Sequence, residues 1–338
     1  MSSPLRRAIS INYHFLRTPT PGPFGLRAHE TPERFDAQLA QISKRFPFAR
    51  AGELVDLARE APESSVVLTF DDGARDVAEW ALPLLEKHGA TASVFVCAQP
   101  YLENRLLEIQ KIEFLMKKRG IEGFRDAFYA SYERLFGAEI EREPLEFAGG
   151  YDFYRYDDEA MRRFKLDLNY QIPYAQVVPI LDALFSETFG EGSEAEAVRE
   201  TYLSVDDLKR LLDLGLELGV HTHRHRVLPR LDFDQQKQEI EIGANFLRDL
   251  TGQTDFTVAY PYGFCDENTH RAMRELGLRA GLTMERRIIE LRDLRERWSI
   301  PRYDVNDCFD RESNQLVNAV FAQLATVETD HHNQDSGE

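Results

Sequence analysis

Cysteine is scarce in this sequence: Cys97, Cys265 and Cys308 are the only three, far apart and odd in number. A disulfide framework is therefore excluded as the source of stability, and a packed core has to supply it. Long apolar runs are missing too. No stretch approaches the ~18 apolar residues of a membrane-spanning helix, so no membrane insertion is expected. The N-terminal MSSPLRRAISINYHFL has two arginines but no apolar run of about 7–15 residues after them, which argues against a secretory signal. A cytoplasmic protein is the expectation. Positive charge is in deficit, with 41 Lys and Arg against 58 Asp and Glu and a formal net charge of −17. Nucleic acid and anionic membrane surfaces are bound by clustered Lys and Arg, so neither is expected as a partner. The sequence does not fix an oligomeric state.

What is present suits a soluble globular chain: 338 residues, 43% hydrophobic and 29% charged, long enough for one α/β barrel carrying an insertion. The run AISINYHF (Ala8 to Phe15) reads as a strand, and TPTPGPFG (Thr18 to Gly25) as a loop. TPERFDAQLAQISKRF reads as a helix with Thr31 as N-cap and Pro32 at its first position. SVVLTF (Ser65 to Phe70) is a continuous apolar run of the kind found in buried parallel strands. A helix from Val77 to His88 and a strand from Ala90 to Val96 follow.

From about Leu102 to Tyr202 this rhythm breaks into a charged, aromatic-rich stretch with helical period. It is too long for a structureless loop and reads as an inserted helical subdomain. Alternation resumes with a helix entered at Ser204-Val205-Asp206-Asp207, a capping-box pattern. Then come LELGVHTH, a helix Asp234 to Thr251, TVAYPYG, a helix Glu267 to Leu276, the short strand GLT and WSIPRYDV. Repeated strand–helix units imply a parallel sheet and, by their number, a distorted (β/α) barrel of about seven strands. The expected division is 1–101 and 203–325 as the two parts of the barrel, 102–202 as the insertion, and 326–338 as a disordered tail.

Three segments fall at strand ends, where such barrels keep their chemistry. In Thr69-Phe70-Asp71-Asp72-Gly73 neighbouring carboxylates point different ways, so one is able to bind a metal while the other faces a water, and Gly73 lets the chain turn sharply. His221-Thr222-His223-Arg224-His225 follows an apolar strand, and an i, i+4 histidine pair on a turn can converge on one ion. Thr222 is placed to orient a ligand through a hydrogen bond. One Asp with two His leaves an open coordination position, the pattern of a catalytic metal. Ala259-Tyr260-Pro261-Tyr262-Gly263 fixes a rigid loop through Pro261 and permits close backbone approach at Gly263.

The TFDDG, HTxxH and YPYG segments, in this order, resemble the polysaccharide deacetylases of carbohydrate esterase family 4, the NodB-homology proteins. The likeness covers roughly Ile9 to Cys97 and Tyr202 to Asp307. It implies metal-dependent removal of an N-acetyl group from a sugar, with a surface-glycan precursor or oligosaccharide as the expected N-acetylated substrate. By position it assigns Asp72, His221 and His225 to one divalent metal ion, zinc first, with cobalt, nickel, iron and manganese compatible. It makes Asp71 the general base and gives the Tyr262 backbone N–H to the oxyanion hole, while His223 falls between ligand positions.

Two departures stand out. Many members have Arg where this chain has Ala259; Arg302, in IPRYDV, is the expected replacement, steadied by Asp304. The family's terminal Leu-x-His strand, which supplies a general acid, is missing near this C-terminus. Members related to biofilm poly-N-acetylglucosamine deacetylases look circularly permuted, with a Tyr-His near the N-terminus, and Asn12-Tyr13-His14 offers His14 as the acid. Tyr101, Tyr129, Tyr132, Tyr151, Tyr154 and Tyr156 are candidates to cap the barrel mouth. The same motifs also suit a deformylase, another linear amidase or a cyclic-imide hydrolase, and a catalytically silent sugar-binding protein is the reading from another class.

Overall fold

The computed structural model describes residues 7–17, 30–57, 64–137, 140 and 158–325. Eight strands form one all-parallel sheet: β1 (Ala8–Tyr13), β2 (Phe48–Ala49), β3 (Ser65–Phe70), β4 (Ser93–Val96), β5 (Glu217–Val220), β6 (Thr257–Ala259), β7 (Ala280–Leu282) and β8 (Tyr303–Asp304). The order across the sheet is β7-β6-β5-β4-β3-β1-β8. Every residue of β1 and of β3 is buried; β3 accordingly reads as a largely apolar run, whereas β1 also buries the polar Ser10 and Asn12. Since β1 lies along the whole of one β3 edge, from Ala8↔Ser65 to Tyr13↔Phe70, β2 and β4 share the other: β2 pairs at Val66 and Val67, β4 at Thr69 and Phe70.

One short segment closes the barrel. Ile300 exchanges backbone hydrogen bonds with β7, accepting from Thr283 N and donating to Gly281 O, both at 2.8 Å, and three residues later Tyr303 pairs with Ile11 of β1. The fold is thus a distorted α/β barrel ringed by helices.

Proline decides two local departures from the sequence expectation. Val77 to His88 is not one regular helix: Val77–Ala81 is a π turn and Leu82–His88 an α-helix. Pro83 has no N–H to give the carbonyl four residues back, and the widened turn just before it absorbs the lost bond. Likewise the strand in TVAYPYG stops at Ala259, and Pro261–Gly263 forms a 3₁₀ turn. Capping boxes at Ser204 with Asp207, at Asp232 with Gln235 and at Asp266 with Thr269 start three barrel helices.

Between β4 and β5 lie the helices Glu108–Arg119, Ile121–Phe136, Glu159–Leu166, Tyr174–Phe189 and Ser193–Thr201, with a π turn at Asp167–Gln171. They bury a core of their own around Phe124, Phe128, Phe164, Leu168, Ile180 and Leu181. Tyr129 and Tyr132 belong to that core and not to the barrel mouth; Tyr129 donates to Asp167 Oδ2 at 2.6 Å. Tyr101 stacks on Phe246 with ring centroids 4.7 Å apart. The Thr18–Gly25 loop, Tyr151, Tyr154, Tyr156 and the tail 326–338 lie outside the described residues. Among the described residues no helix is long and apolar enough to cross a membrane.

Candidate active site

The site is assembled at the C-terminal ends of β1, β3, β5 and β6, where the barrel's parallel strands all open. β3 delivers Asp71 and Asp72. Asp72 takes a positive φ of 68° and Gly73 one of 70°, so the chain turns off the strand within two residues. β5 ends at Val220 and delivers His221; Thr222 and His225 also sit at positive φ, 65° and 57°. Tyr262, after β6, has φ 57°. Four side-chain-bearing residues held in the left-handed region around one cleft mark a functional site, because such backbone costs about 1–3 kcal/mol each.

Asp72, His221 and His225 face one another. The Nε2 atoms of both histidines lie 3.5 Å from Asp72 Oδ1, and one ligand atom from each of the three residues lies within 4.8 Å of the others. Asp72 Oδ1 is buried and has no hydrogen-bond partner among the described residues, although the carboxylate is almost wholly shielded from water. Such an atom is expensive unless something positive meets it. Ligand bonds of about 2.1 Å arranged tetrahedrally put neighbouring ligand atoms about 3.4 Å apart, close to what is seen, so the donor set fits a divalent ion.

The surroundings hold these ligands in place. His221 Nδ1 lies 2.7 Å from the Ala259 carbonyl. A carbonyl only accepts, so Nδ1 carries a hydrogen, and in the neutral ring the Nε2 lone pair then faces Asp72. Thr222 Oγ1 accepts the His225 backbone N–H at 3.2 Å. Burial disfavours charge on His225 and brings its pKa down to about 4, leaving a neutral imidazole. For Asp72 burial works upward, but His225 and His221 outweigh it and the carboxyl is held far below the ordinary aspartate range.

Asp71 has a different environment. Arg302 Nη1 and Nη2 donate to its two oxygens at 2.9 and 3.0 Å, a bidentate pair, and Asn12 Nδ2 donates to Oδ2 at 3.1 Å. Arg302 is fully buried; its remaining donors go to Thr283 O at 3.0 Å, Thr69 Oγ1 at 3.2 Å and Asn12 Oδ1 at 3.4 Å. Asp304 does not steady it. As N-cap of the short helix Val305–Cys308, Asp304 turns its carboxylate back onto Asn306 N at 2.9 Å. Burial pushes the Asp71 carboxyl up, but Arg302 and then His221 outweigh it, and it stays ionised below the usual range.

The remaining sequence candidates lie nearby. The ring of Tyr262 stands against His225, centroids 4.9 Å apart, and its hydroxyl donates to Asn169 Oδ1 at 3.4 Å. Gly263 at φ 77° brings the backbone so close to Met284 that a Cβ there would sit 2.4 Å from Met284 N. His14, just past β1 and half-buried, is near enough for its charge to act on Asp71, Asp72 and His225. His223 turns away, with Nε2 3.0 Å from Glu103 Oε1.

Sequence reasoning missed four residues the fold brings in. Asn12 adjoins the Tyr13-His14 pair and was overlooked as a partner of Asp71. Gln110, Asn169 and Tyr170 come from the insertion and carry no local signal. Tyr170 lies with Tyr262 and Phe264, at 6.4 and 6.0 Å between centroids, as a half-buried aromatic cluster beside His225.

The pattern described as polysaccharide deacetylase matches residues 58–122 and 188–281. Over these two segments the chain is similar to the polysaccharide deacetylases. Asp71, Asp72, His221, His225 and Tyr262 fall inside the matched segments; His14 and Arg302 fall outside them. Among solved structures, the chain is similar to the Streptococcus pyogenes deacetylase PplD in complex with acetate, at 16% identity over 88% of this chain and 92% of that one, with a TM-score of 0.54. It is also similar to a polysaccharide deacetylase from Bacillus cereus, at 12% identity over 89% of this chain, TM-score 0.49, where it spans 65% of that chain's length. IcaB from Ammonifex degensii shares 16% identity over 88% of this chain and 87% of its own, with a TM-score of 0.48. At such identities the likeness concerns the fold. No curated protein sequence matches the chain.

Proposed function

We propose that this chain is a metal-dependent hydrolase of the polysaccharide deacetylase family that removes an N-acetyl group from an amino sugar, within a surface-glycan precursor or an oligosaccharide. The observation that carries the reading is the buried, unpartnered Asp72 Oδ1 set 3.5 Å from two histidine Nε2 atoms. Asp72, His221 and His225 would hold the ion, zinc by preference for this donor set. When bound, a divalent ion lowers the pKa of water and polarises the acetyl carbonyl.

The chain's own groups divide the remaining work. Asp71, kept ionised by Arg302 and Asn12, accepts the proton of the attacking water. Arg302 also keeps that carboxylate in one orientation, which a general base needs as much as its charge. The Tyr262 backbone N–H, on its strained turn, stabilises negative charge on the acetyl oxygen. His14 protonates the departing nitrogen, since an amide nitrogen leaves poorly without a proton. Acetate and a free amino sugar result. The likeness in fold to the Streptococcus pyogenes deacetylase, solved with acetate, supports this reading.

The deciding experiment is acetate release from free, nucleotide-linked and oligomeric N-acetylated sugars, with and without a chelator. Release from one class, stopped by the chelator and restored by zinc or cobalt, is expected. Release that persists in the metal-stripped protein would overturn the metal-dependent mechanism.

A further inference from the structure

The inserted subdomain reaches the candidate metal ligand Asp72 through a fully buried amide. Gln110, in the helix Glu108–Arg119, donates from Nε2 to Asp72 Oδ2 at 3.1 Å. Its carbonyl is occupied in turn: Tyr202 Oη donates to Gln110 Oε1 at 3.0 Å and accepts the Leu107 N–H at 3.0 Å. The proton directions in this chain are mutually fixed. A backbone N–H only donates, so the Tyr202 hydroxyl sends its hydrogen to Gln110 Oε1, and Gln110 must turn its NH₂ to the carboxylate.

Position is fixed as firmly as direction. Lys111, the next residue, is 2% exposed and pairs with Asp182 at 2.5 Å and Glu194 at 2.7 Å, from the helices Tyr174–Phe189 and Ser193–Thr201. Glu194 also accepts the Leu106 N–H at 2.9 Å, and Gln99 Nε2 donates to the Leu106 carbonyl at 2.9 Å. The turn that carries Gln110 is therefore tied both to the insertion and to the barrel.

A carboxylate has two equivalent oxygens, and unless one is occupied it can offer either or both to an ion. Here Oδ2 is taken by Gln110 while Oδ1 faces the two histidines. We propose that Gln110 is a positioning residue of the metal centre, holding Asp72 as a one-oxygen ligand, and that the inserted subdomain thereby sets metal affinity. This rests on the metal reading above. Partners that orient ligands in this way are typically worth about 10–100-fold in metal affinity.

The test uses the full chain, stripped with a chelator and titrated with Co²⁺ by calorimetry and by its visible d–d absorption. Gln110→Met keeps the bulk and removes the donor; Tyr202→Phe removes only the hydroxyl that orients the amide. Co²⁺ affinity is expected to fall about 10–100-fold in Gln110→Met, with a changed d–d spectrum, and by a smaller factor in Tyr202→Phe. Melting of the stripped proteins separates this from a packing role, which would lower stability while leaving Co²⁺ affinity and spectrum alone. Affinities within twofold of the unaltered chain and an unchanged spectrum would overturn the proposal. If Gln110→Met fails to fold, Tyr202→Phe makes the same comparison. An unaltered chain that takes up no Co²⁺ would remove the metal reading and this role with it, whereas normal uptake by every variant would remove this role only.

Discussion

Arg302 and Asp71, 231 residues apart in sequence, meet inside the barrel through two N–H···O bonds of 2.9 and 3.0 Å. Arg302→Met removes the charge that keeps Asp71 ionised and leaves that carboxylate buried and alone, at a cost of about 3–5 kcal/mol. We expect kcat to fall at least ~100-fold, with one Co²⁺ still bound per chain. Adding Asp71→Asn should return part of the lost stability and none of the activity, because paired groups are not additive. A kcat within tenfold of the unaltered enzyme would refute the assignment.

Metal removal should be visible in stability as well as in turnover. Binding confined to the folded state contributes about 2.7 kcal/mol at an ion concentration 100 times Kd. The stripped protein is expected to melt several degrees lower and to recover on addition of Zn²⁺ or Co²⁺. His221→Ala should show no such ion-dependent shift, and a shift of normal size in that variant would remove His221 from the ligand set.

Two glycines separate backbone conformation from close approach. Gly89 has φ 59° with nothing within 4 Å of where a Cβ would stand, whereas Gly263, at φ 77°, has Met284 N at 2.4 Å. Gly89→Ala should cost about 1–2 kcal/mol, the left-handed penalty alone. Gly263→Ala should cost more, and should also lower kcat by displacing Tyr262. Denaturant unfolding gives both numbers; equal losses would show that the Met284 contact carries no weight.

Tyr170 stands with Tyr262 and Phe264 beside His225. If a sugar ring rests on that cluster, Tyr170→Ala raises KM and leaves kcat nearly unchanged. About 1–2 kcal/mol of ring contact corresponds to roughly 5–30-fold in kcat/KM. Steady-state kinetics on the best substrate decide it, and a loss confined to kcat would exclude a binding role.

The barrel was legible because its signals are local. Buried parallel strands such as β3 are largely apolar, and helices announce their starts at Thr31 and Ser204. The segments Thr69–Gly73 and His221–His225 stood out for the same reason: each puts several chemical groups within five residues at a strand end. Gln110, Asn169 and Tyr170 did not stand out, since an amide or a phenol in a helical stretch looks like any other until the insertion docks. Asp304 was misjudged because a residue beside a strand end was read as a partner of its neighbour, when it starts a helix instead.

The segment Ile300–Asp304 zips β7 to β1 and also carries Arg302. Sealing the barrel and arming Asp71 are therefore one event in the life of the molecule. Wherever this segment is undocked, the seam beside β1 stands open and Asp71 lacks the guanidinium that keeps it charged, so the deacetylase chemistry proposed here depends on the barrel being shut.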